Sequence, residues 1–454
     1  MSPWRTWPRC GAAVGCTERA FTPYPSCLHH LSPDELEHML EGLQPGADID
    51  LRGATVPGPL FSALLKAVTG PDKRPHLGRS RFDGAVLPDR ASLTGVCFEG
   101  DCSFDGARFA GGVSFYDVRF LGHVSFRGAR FTGNASFHGA RFQRHSTFDE
   151  AVFASDALFG ETVWLADASF ARAVFVGAAA FDRARFGRDA VFQAARFGGA
   201  LSFRRVRVAR HARLERARFR QDLWMGPLAV HGRLSLSNAI AHRGLRVDAV
   251  ARRVDADHAV VHGPAEFRLR HAELDLEDAC FDAGVTVRSL SHPFQCLAED
   301  DGIDHAPVRV VSVRGMDAPR LGLADVDLSR CKFAGLEHPE GLRIAGECTF
   351  ASLRHRRRSE AVLAEELSGS YDGLPVLYRY LALAAADVDD GLNRDFRYRS
   401  LEVRRRADPR AVRRWLLHAS WLICGHGLRT GRLLTCLTVL ALLLCWSAAY
   451  AAHP

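Results

Sequence analysis

Residues 104–142 read FDGARFAGGVSFYDVRFLGHVSFRGARFTGNASFHGARF and show the pattern that shapes most of this 454-residue chain. Within this stretch phenylalanine recurs at alternating steps of five and six residues, so the pattern repeats every eleven residues. The same two registers extend outward from Phe82 to Phe219, and all 26 of their positions are apolar. They hold 21 of the 29 phenylalanines in the chain. A fixed period of this kind indicates a repeat architecture, in which neighbouring repeats stack and share one continuous core.

A small or β-branched residue stands two positions before every large apolar residue of the two registers except Phe203, as at Ala107, Val113 and Val118. A five-residue step with this pair of positions resembles the pentapeptide-repeat family. The resemblance implies a mainly β fold, a right-handed quadrilateral β-helix in which each step forms one side and the large residue points to the axis. Because alternate steps carry a sixth residue, we expect a four-sided coil that spans two eleven-residue repeats, longer than the coil of a strict five-residue pattern. This departure resembles a Phe-rich bacterial subgroup of the family.

The character of the sequence changes several times along the chain. The Ser32–Glu35 capping box predicts that a short helix begins there. After Phe219 we expect the eleven-residue pattern to continue through about Leu290, with Leu and Val in place of Phe. We therefore expect five segments: an N-terminal Cys/His-containing cap with two short helices (1–78), the pentapeptide-repeat solenoid (79–290), degenerate solenoid coils with a loop insertion (291–358), an amphipathic helical juxtamembrane region (359–430) and a transmembrane anchor (431–454).

Residues 433–452 contain no charged side chain. Twenty helical residues at ~1.5 Å each match the ~30 Å hydrocarbon core of a bilayer. Arginines cluster before this run, at 404–406, 410, 413 and 414, so the positive-inside rule predicts a single-pass C-terminal anchor with the bulk of the chain in the cytoplasm. The alternative is a buried helix of a globular domain. The N-terminus has no apolar run, and no signal peptide is expected.

Three thiols and an imidazole near the N-terminus form a candidate metal site. Cys10, Cys16, Cys27 and His30 offer a complete tetrahedral ligand set for a structural zinc ion. The motif CLHHL resembles the Cys-x-x-His of related N-terminal caps, which favours His30 over His29. A site with all four positions filled leaves no room for substrate. The alternative is reduced thiols without a metal.

Arginine often precedes a core position, and on a coil of two repeats these arginines fall on two opposite faces: Arg108, Arg119, Arg130, Arg141, Arg185, Arg196, Arg207 and Arg218. The segment with Arg204, Arg205, Arg207 and Arg210 is a candidate binding site for nucleic acid or anionic lipid. The alternative is a solvated face that limits aggregation. Some family members mimic duplex DNA, which requires an acidic surface. Residues 79–220 hold 22 arginines against 14 acidic residues, so DNA mimicry is not expected.

The sequence contains no recognisable catalytic motif, so we expect no catalytic or cofactor-binding residue and no cofactor other than the structural zinc ion. We therefore expect a non-enzymatic, membrane-anchored interaction scaffold on the cytoplasmic face, with an unidentified protein partner. A binder of nucleic acid or anionic lipid through the arginine faces is the alternative. A membrane-associated oxidoreductase is less favoured, since it would need a bound cofactor.

Overall fold

The chain folds as a long β-solenoid with helices before and after it. The computed structural model describes residues 8–295, 297, 307–355, 358–369, 373–386, 388–407, 410–424, 426 and 430–451. The first coils follow α1 (Pro33–Glu41), β1 (Ala47–Asp50) and α2 (Gly58–Ala67). The predicted capping box of α1 is confirmed: Ser32 Oγ accepts from the Glu35 N–H over 3.2 Å, and the Glu35 carboxylate accepts from the Ser32 N–H over 2.8 Å. Strand β1 pairs in parallel with β2 (His76–Arg81) and starts the stack.

Each coil of the repeat block has four sides, and each side is a two-residue strand. Side one is a ten-stranded parallel sheet made of β3 (Val86–Leu87), β7 (Arg108–Phe109), β11 (Arg130–Phe131), β15 (Val152–Phe153), β19 (Val174–Phe175), β23 (Arg196–Phe197), β27 (Arg218–Phe219), β29 (Ile240–Ala241), β31 (Val260–Val261) and β34 (Cys280–Phe281). Side two contains β4 (Ala91–Ser92), β8 (Val113–Ser114), β12 (Ala135–Ser136), β16 (Ala157–Leu158), β20 (Ala179–Ala180) and β24 (Leu201–Ser202). Side three contains β5 (Cys97–Phe98), β9 (Arg119–Phe120), β13 (Arg141–Phe142), β17 (Val163–Trp164), β21 (Arg185–Phe186) and β25 (Arg207–Val208). Side four contains β6 (Cys102–Ser103), β10 (Val124–Ser125), β14 (Ser146–Thr147), β18 (Ala168–Ser169), β22 (Ala190–Val191) and β26 (Ala212–Arg213).

The register confirms that one coil spans two eleven-residue repeats, as the five-and-six spacing predicts. On side one Phe131 pairs with Phe109 below and Phe153 above, and the other three sides of the repeat block advance by the same step. Because a coil holds two repeats, consecutive repeats form opposite halves of it. Sides one and three therefore carry equivalent positions of the repeat, and so do sides two and four.

Phenylalanine rings fill the axis of the solenoid. Rings one full coil apart stack nearly parallel, as for Phe104 and Phe126 with centroids 4.7 Å apart and for Phe131 and Phe153 at 4.6 Å. Rings of successive half-coils meet edge to face, as for Phe115 and Phe126 at 89°. Buried aromatic surface contributes stability in proportion to its area, and both ring geometries are favourable. The small residues two positions earlier, Ala107 among them, are fully buried beside these rings.

The solenoid changes its period at β28 (Leu223–Ser235). Its pairing with β30 (Leu245–Asp255) begins with Leu223 opposite Leu245 and ends with Ser235 opposite Asp255. Two register irregularities within β28 each remove one residue from the step between coils. From there on Leu245 pairs with Ala265, so each half-coil is one residue shorter than before. The expectation of an eleven-residue pattern through Leu290 is therefore wrong, because the coils after β28 have lost the sixth residue of alternate steps.

Further coils and helices complete the chain. The later strands are β32 (Ala265–Arg270), β33 (Glu273–Asp275), β35 (Val285–Ser289), β36 (Arg309–Ser312), β37 (Leu321–Ala324), β38 (Leu342–Ala345), β39 (Ala351–His355) and β40 (Arg358–Val362), with a 3₁₀ turn at Pro339–Gly341. The helices are α3 (Ala364–Leu367), α4 (Leu374–Ala384), α5 (Asp390–Ala407), α6 (Ala411–Cys424) and α7 (Thr430–Ala451). Strands β39 and β40 form an antiparallel hairpin, and α4 packs against both β38 and α5.

Residues 433–451 of the run expected to cross a bilayer lie in α7, and residue 452 lies outside the described residues. Among the residues described by the structure, none of the helices has both the length and the apolar character that a membrane crossing requires. The predicted transmembrane helix at 433–452 therefore finds no support in the structure.

Candidate metal centre and binding faces

The N-terminal segment brings Cys10, Cys16, Cys27 and His30 together. Their ligand atoms all lie within 4.8 Å of one another. Cys27 Sγ is 3.2 Å from His30 Nδ1 and 4.0 Å from Cys16 Sγ, and Cys10 Sγ is 3.5 Å from His30 Nδ1. In a tetrahedral zinc site, metal–sulfur and metal–nitrogen bonds of ~2.3 and ~2.0 Å would separate the ligand atoms by about 3.5–3.8 Å. The donor set and its spacing therefore fit a closed tetrahedral site.

Backbone hydrogen bonds position the thiols of this cluster. The Cys10 N–H donates to the Glu18 carbonyl, and the Gly11 N–H donates to the Pro25 carbonyl, each over 2.9 Å. This folding places the Cys27 N–H 3.2 Å from Cys10 Sγ, and that hydrogen bond lowers the pKa of Cys10 to about 6. Burial raises the pKa of Cys27. The Cys10 thiolate, the form that binds metals, is therefore favoured at neutral pH.

The four sides of the solenoid have two chemical characters. In strands the side chains alternate between the core and the outer surface. Between Arg108 and Arg220 the outward positions of side one carry arginine, small or apolar residues and one threonine, with no acidic residue. Side three has the same character between Arg119 and Ala209, with one glutamine. Sides two and four present mainly hydroxyl groups, as at Ser114.

Arginines on sides one and three differ from those at the corners between the sides. At the corners Arg172 pairs with Glu150, and Arg183 pairs with Glu161 over 2.7 Å. Seven arginines on sides one and three are exposed, and no carboxylate oxygen of a described residue lies within 4.0 Å of their guanidinium groups: Arg108, Arg119, Arg130, Arg141, Arg185, Arg196 and Arg218. Positive charge is thus paired with carboxylates at these two corner positions, whereas the seven arginines leave it unpaired on two opposite sides.

The four arginines of the candidate nucleic-acid or lipid site do not form one cluster. Arg204 and Arg205 line a groove together with Arg183. Arg207 lies on side three, in register with Arg185. Arg210 lies beyond the next corner, where its Nε is 3.9 Å from Asp189. The structure therefore brings Arg204 and Arg205 together and separates them from the other two.

A family comparison bears on the repeat block. A family model described as pentapeptide repeats (9 copies) matches residues 104–151 and 181–226. Both ranges begin in coils that keep the longer register of two eleven-residue repeats. These two ranges of the chain are pentapeptide repeats of that family. Neither the curated proteins nor the solved structures gave a significant match.

In this pentapeptide-repeat protein a buried ionic network joins the C-terminal helices to the solenoid, and no pattern in the sequence indicates it. Arg399 of α5 donates to Glu360 of β40 over 2.9 Å and to Glu366 of α3 over 3.1 Å. The hydroxyl of Tyr378 donates to Glu366 over 2.7 Å. Glu365 accepts hydrogen bonds from two backbone N–H groups of the last coils, including that of Ala334 over 3.0 Å. These charges could be located only from the fold, since their sequence separations follow no helical or strand period.

A second group of possible metal ligands lies on the surface of the pentapeptide-repeat solenoid. Donor atoms of Asp317, Glu337 and His338 lie within 4.8 Å of one another. Glu337 is exposed and His338 is half-buried, and His338 Nδ1 is 3.0 Å from Glu340. This hydrogen bond raises the pKa of His338, so the group behaves as a surface ion-pair cluster.

Proposed function

We propose that this pentapeptide-repeat protein is a non-catalytic scaffold that binds partner proteins along its sides and is attached to the cytoplasmic face of a membrane by its C-terminal helices. The observation that carries the scaffold role is the continuous aromatic core. Stacked Phe rings occupy the solenoid axis from Phe82 to Phe219, so each coil is fixed to its neighbours over a long distance. Such a rod presents repeated outward positions at constant spacing, as solenoid proteins use for binding.

Site-specific photo-crosslinking in cells tests the scaffold role. A photoreactive amino acid is placed on each side of the rod, at Val176, Ser136, Leu165 or Ser125 for sides one to four. We expect at least one position to crosslink reproducibly to another protein, with the crosslinked peptide identified by mass spectrometry. If none of the four sides yields a protein crosslink, the scaffold role is rejected.

Membrane attachment is supported by apolar side chains that the fold leaves exposed. In α6 these include Trp415, which is 76 % exposed, and in α7 they include Leu440, Leu443 and Trp446. A large exposed apolar surface on helices is typical of protein or membrane contact sites. The arginines that precede α7 in the sequence favour attachment from the cytoplasmic side.

Flotation with phosphatidylcholine–phosphatidylglycerol vesicles tests the attachment. We expect the full chain to float with the vesicles and the double substitution Leu440→Asp and Leu443→Asp to abolish flotation. Leu367→Asp is the matched control, because Leu367 is similarly exposed but lies in α3. Equal flotation of the wild type and the double variant would overturn this part of the proposal.

We also propose that Cys10, Cys16, Cys27 and His30 hold a structural zinc ion. The convergence of the four donors supports it, because closed sites with these ligands stabilise folds. Purified protein should contain about one zinc ion per chain by elemental analysis. Cys27→Ser should lose it, whereas Cys97→Ser, a buried thiol outside the cluster, should not. A chain that stays metal-free after zinc is supplied would contradict the proposal.

The groove at Arg183, Arg204 and Arg205 favours a second candidate role, the binding of phosphate groups of nucleic acid or anionic lipid. Guanidinium groups bind phosphate through paired, charge-assisted hydrogen bonds. Glu161 and Asp182 also line the groove and reduce its net positive charge. The double substitution Arg204→Glu and Arg205→Glu should weaken salt-sensitive binding to a duplex oligonucleotide or to phosphatidylglycerol vesicles. Unchanged affinity for both would reject this role.

A further inference from the structure

Sides one and three both have an apolar centre with arginine pairs at its two ends. On side one the parallel register stacks Arg108 on Arg130, then two valines, then Arg196 on Arg218. The side chain of Val176 lies beside the two valines and is 55 % exposed. Side one therefore has a flat apolar patch about two coils long between two pairs of positive charges.

Side three repeats this arrangement on the opposite face of the rod. Arg119 stacks on Arg141, Val163 follows in the next coil, and Arg185 and Arg207 come after it. Beside Val163 the side chain of Leu165 is 60 % exposed. The two sides are alike because each eleven-residue repeat forms half a coil.

The paired arginines do not stabilise the solenoid itself. Neighbouring coils are ~4.8 Å apart, and like charges in register on adjacent strands destabilise a sheet. Arg108, Arg130, Arg196 and Arg218 are exposed, and no carboxylate of a described residue lies close enough to pair with them. Carboxylates of a bound partner would relieve this repulsion, so the charges fit an intermolecular contact.

The apolar centre indicates a protein partner. A nucleic-acid surface presents positive charge along the path of the phosphates, whereas here valine replaces arginine in the middle coils. An apolar centre with a charged rim is the arrangement found in protein–protein interfaces, and arginine is enriched there. Charge complementarity then sets the sign of the partner.

We propose that sides one and three each bind an acidic segment of a partner protein, in which apolar side chains lie between two clusters of carboxylates. The proposal deepens the scaffold role and rests on it. Arg130 and Arg196 are three coil steps apart, ~14 Å at the usual spacing, and Arg141 and Arg185 are two steps apart, ~10 Å. If the bound segment of the partner is a helix that lies parallel to the rod, it rises ~1.5 Å per residue. Its acidic clusters would therefore be about nine to ten residues apart for side one and about six to seven for side three.

The equivalence of the two sides makes the rod bivalent. A segment that binds one side meets the same residue types, differently spaced, on the other. We therefore expect two molecules of one acidic peptide to bind each chain, with unequal affinities that reflect the two spacings. Two copies of a partner would then be held on opposite faces of one rod.

Selection from a random dodecapeptide library on the full chain tests the proposal. We expect the selected peptides to share an apolar centre flanked by Asp or Glu, and calorimetry with one of them to show two sites per chain. The double variant Arg130→Gln and Arg196→Gln should remove one site. Adding Arg141→Gln and Arg185→Gln should weaken the remaining site at least about tenfold. The matched control is Arg127→Gln with Arg213→Gln, which removes equal charge from arginines that pair with Glu150 and Asp189, and it should leave both sites intact.

Several results would overturn the proposal: no selected peptide, selected peptides without acidic residues, a single site, or a control that weakens binding as much as the test variants. Tighter binding of a duplex of about 20 base pairs than of the peptide, through the same arginines, would also overturn it. Crosslinks found only on sides two and four would reject this proposal while leaving the scaffold role in place. Absence of crosslinks on every side would reject the scaffold role as well.

Discussion

At the residue scale, two opposite corners of every coil in the repeat block have a left-handed backbone. The residue two positions after each large residue of the register that contains Phe137 and Phe192 has a positive φ. This position holds glycine in some repeats and a larger residue in others, as with Gly139 at +70° and Ala194 at +56°. The corner is sterically open, since a Cβ at Gly139 would meet no atom within 4 Å. A non-glycine residue there therefore costs backbone energy without a clash.

This corner predicts opposite effects for two reciprocal substitutions. Ala194→Gly should stabilise the fold by about 0.5–1 kcal/mol, because relief of the left-handed strain exceeds the added entropy of the unfolded chain. Gly139→Ala should destabilise it by about 1 kcal/mol. Urea unfolding of both variants checks the prediction, and shifts of the same sign would contradict it.

His76 makes stability depend on pH in a defined direction. Its Nε2 is 2.9 Å from Asp72 Oδ1 and its Nδ1 is 2.8 Å from Glu99 Oε1, and these hydrogen bonds raise the pKa of His76. The protonated form is favoured in the folded state. Its stabilising contribution is therefore complete below the unfolded pKa of about 6.5 and is lost as pH rises through the folded pKa. His76→Gln should cost more stability at pH 6 than at pH 9, and an equal cost at both values would disprove the assignment.

At the element scale, β28 is where the coil shortens, and it depends on Gly226. This residue has a φ of +115°, and a Cβ there would lie 2.1 Å from the Asp248 carbonyl oxygen in β30. The chain can approach so closely only without a side chain. The bulge that removes a residue from the coil therefore requires glycine at this position.

Gly226→Ala should destabilise the fold by about 2–4 kcal/mol, because left-handed strain and the backbone clash add together. Gly139→Ala is the matched control, with the same change at a positive φ and no clash. The comparison is made by urea unfolding of the two variants. Equal costs for both would show that the contact with Asp248 is unimportant.

The repeat block could be predicted from the sequence because one residue type marks every core position. The step from Phe109 to Phe131 gives the coil length directly, and the structure has the same register. After Ala241 the core positions hold mainly Leu, Val and Ala, with only a few phenylalanines such as Phe267 and Phe281. Because Leu, Val and Ala also occur elsewhere in these strands, the loss of a residue per half-coil is hard to see in the sequence. The convergence of Cys10 and Cys27 could be expected from ligand chemistry, whereas Arg399 lacks any local pattern and depends on tertiary packing.

The buried network around Arg399 predicts a large effect of one substitution. Arg399→Met should destabilise the helical region by about 3–5 kcal/mol, because it leaves Glu360 and Glu366 buried without their cationic partner. Arg397→Met on the same helix is the control, since Arg397 is less buried and lies outside this network. Hydrogen exchange of the α5 amides measures the effect. Equal protection in the two variants would mean that the ion pairs do not hold α5 in place.

At the scale of the whole molecule, the eleven-residue repeat produces a rod with two kinds of surface. Half-coils with the same sequence pattern alternate around the axis, so Arg130 of side one and Arg141 of side three occupy equivalent positions. The N-terminal cap carries the candidate zinc ligands, and the C-terminal helices expose apolar side chains such as Trp415 and Trp446. Binding faces, candidate metal centre and exposed apolar helices thus belong to successive segments of one chain.

Disulfide trapping between neighbouring coils is the sharpest check of the coil register, on which every inference about the binding faces depends. Ser114 and Ser136 are in register on neighbouring coils of the repeat block, and Glu266 and Thr286 are in register on neighbouring shortened coils. Three double variants are compared: Ser114→Cys with Ser136→Cys, Glu266→Cys with Thr286→Cys, and, as the control, Ser114→Cys with Asn134→Cys. We expect mild oxidation to link the first two pairs, as mapped by mass spectrometry, and to leave the control pair unlinked. Linkage of Ser114 to Asn134 in preference to Ser136 would refute the coil of two eleven-residue repeats and the division of the rod into two kinds of side.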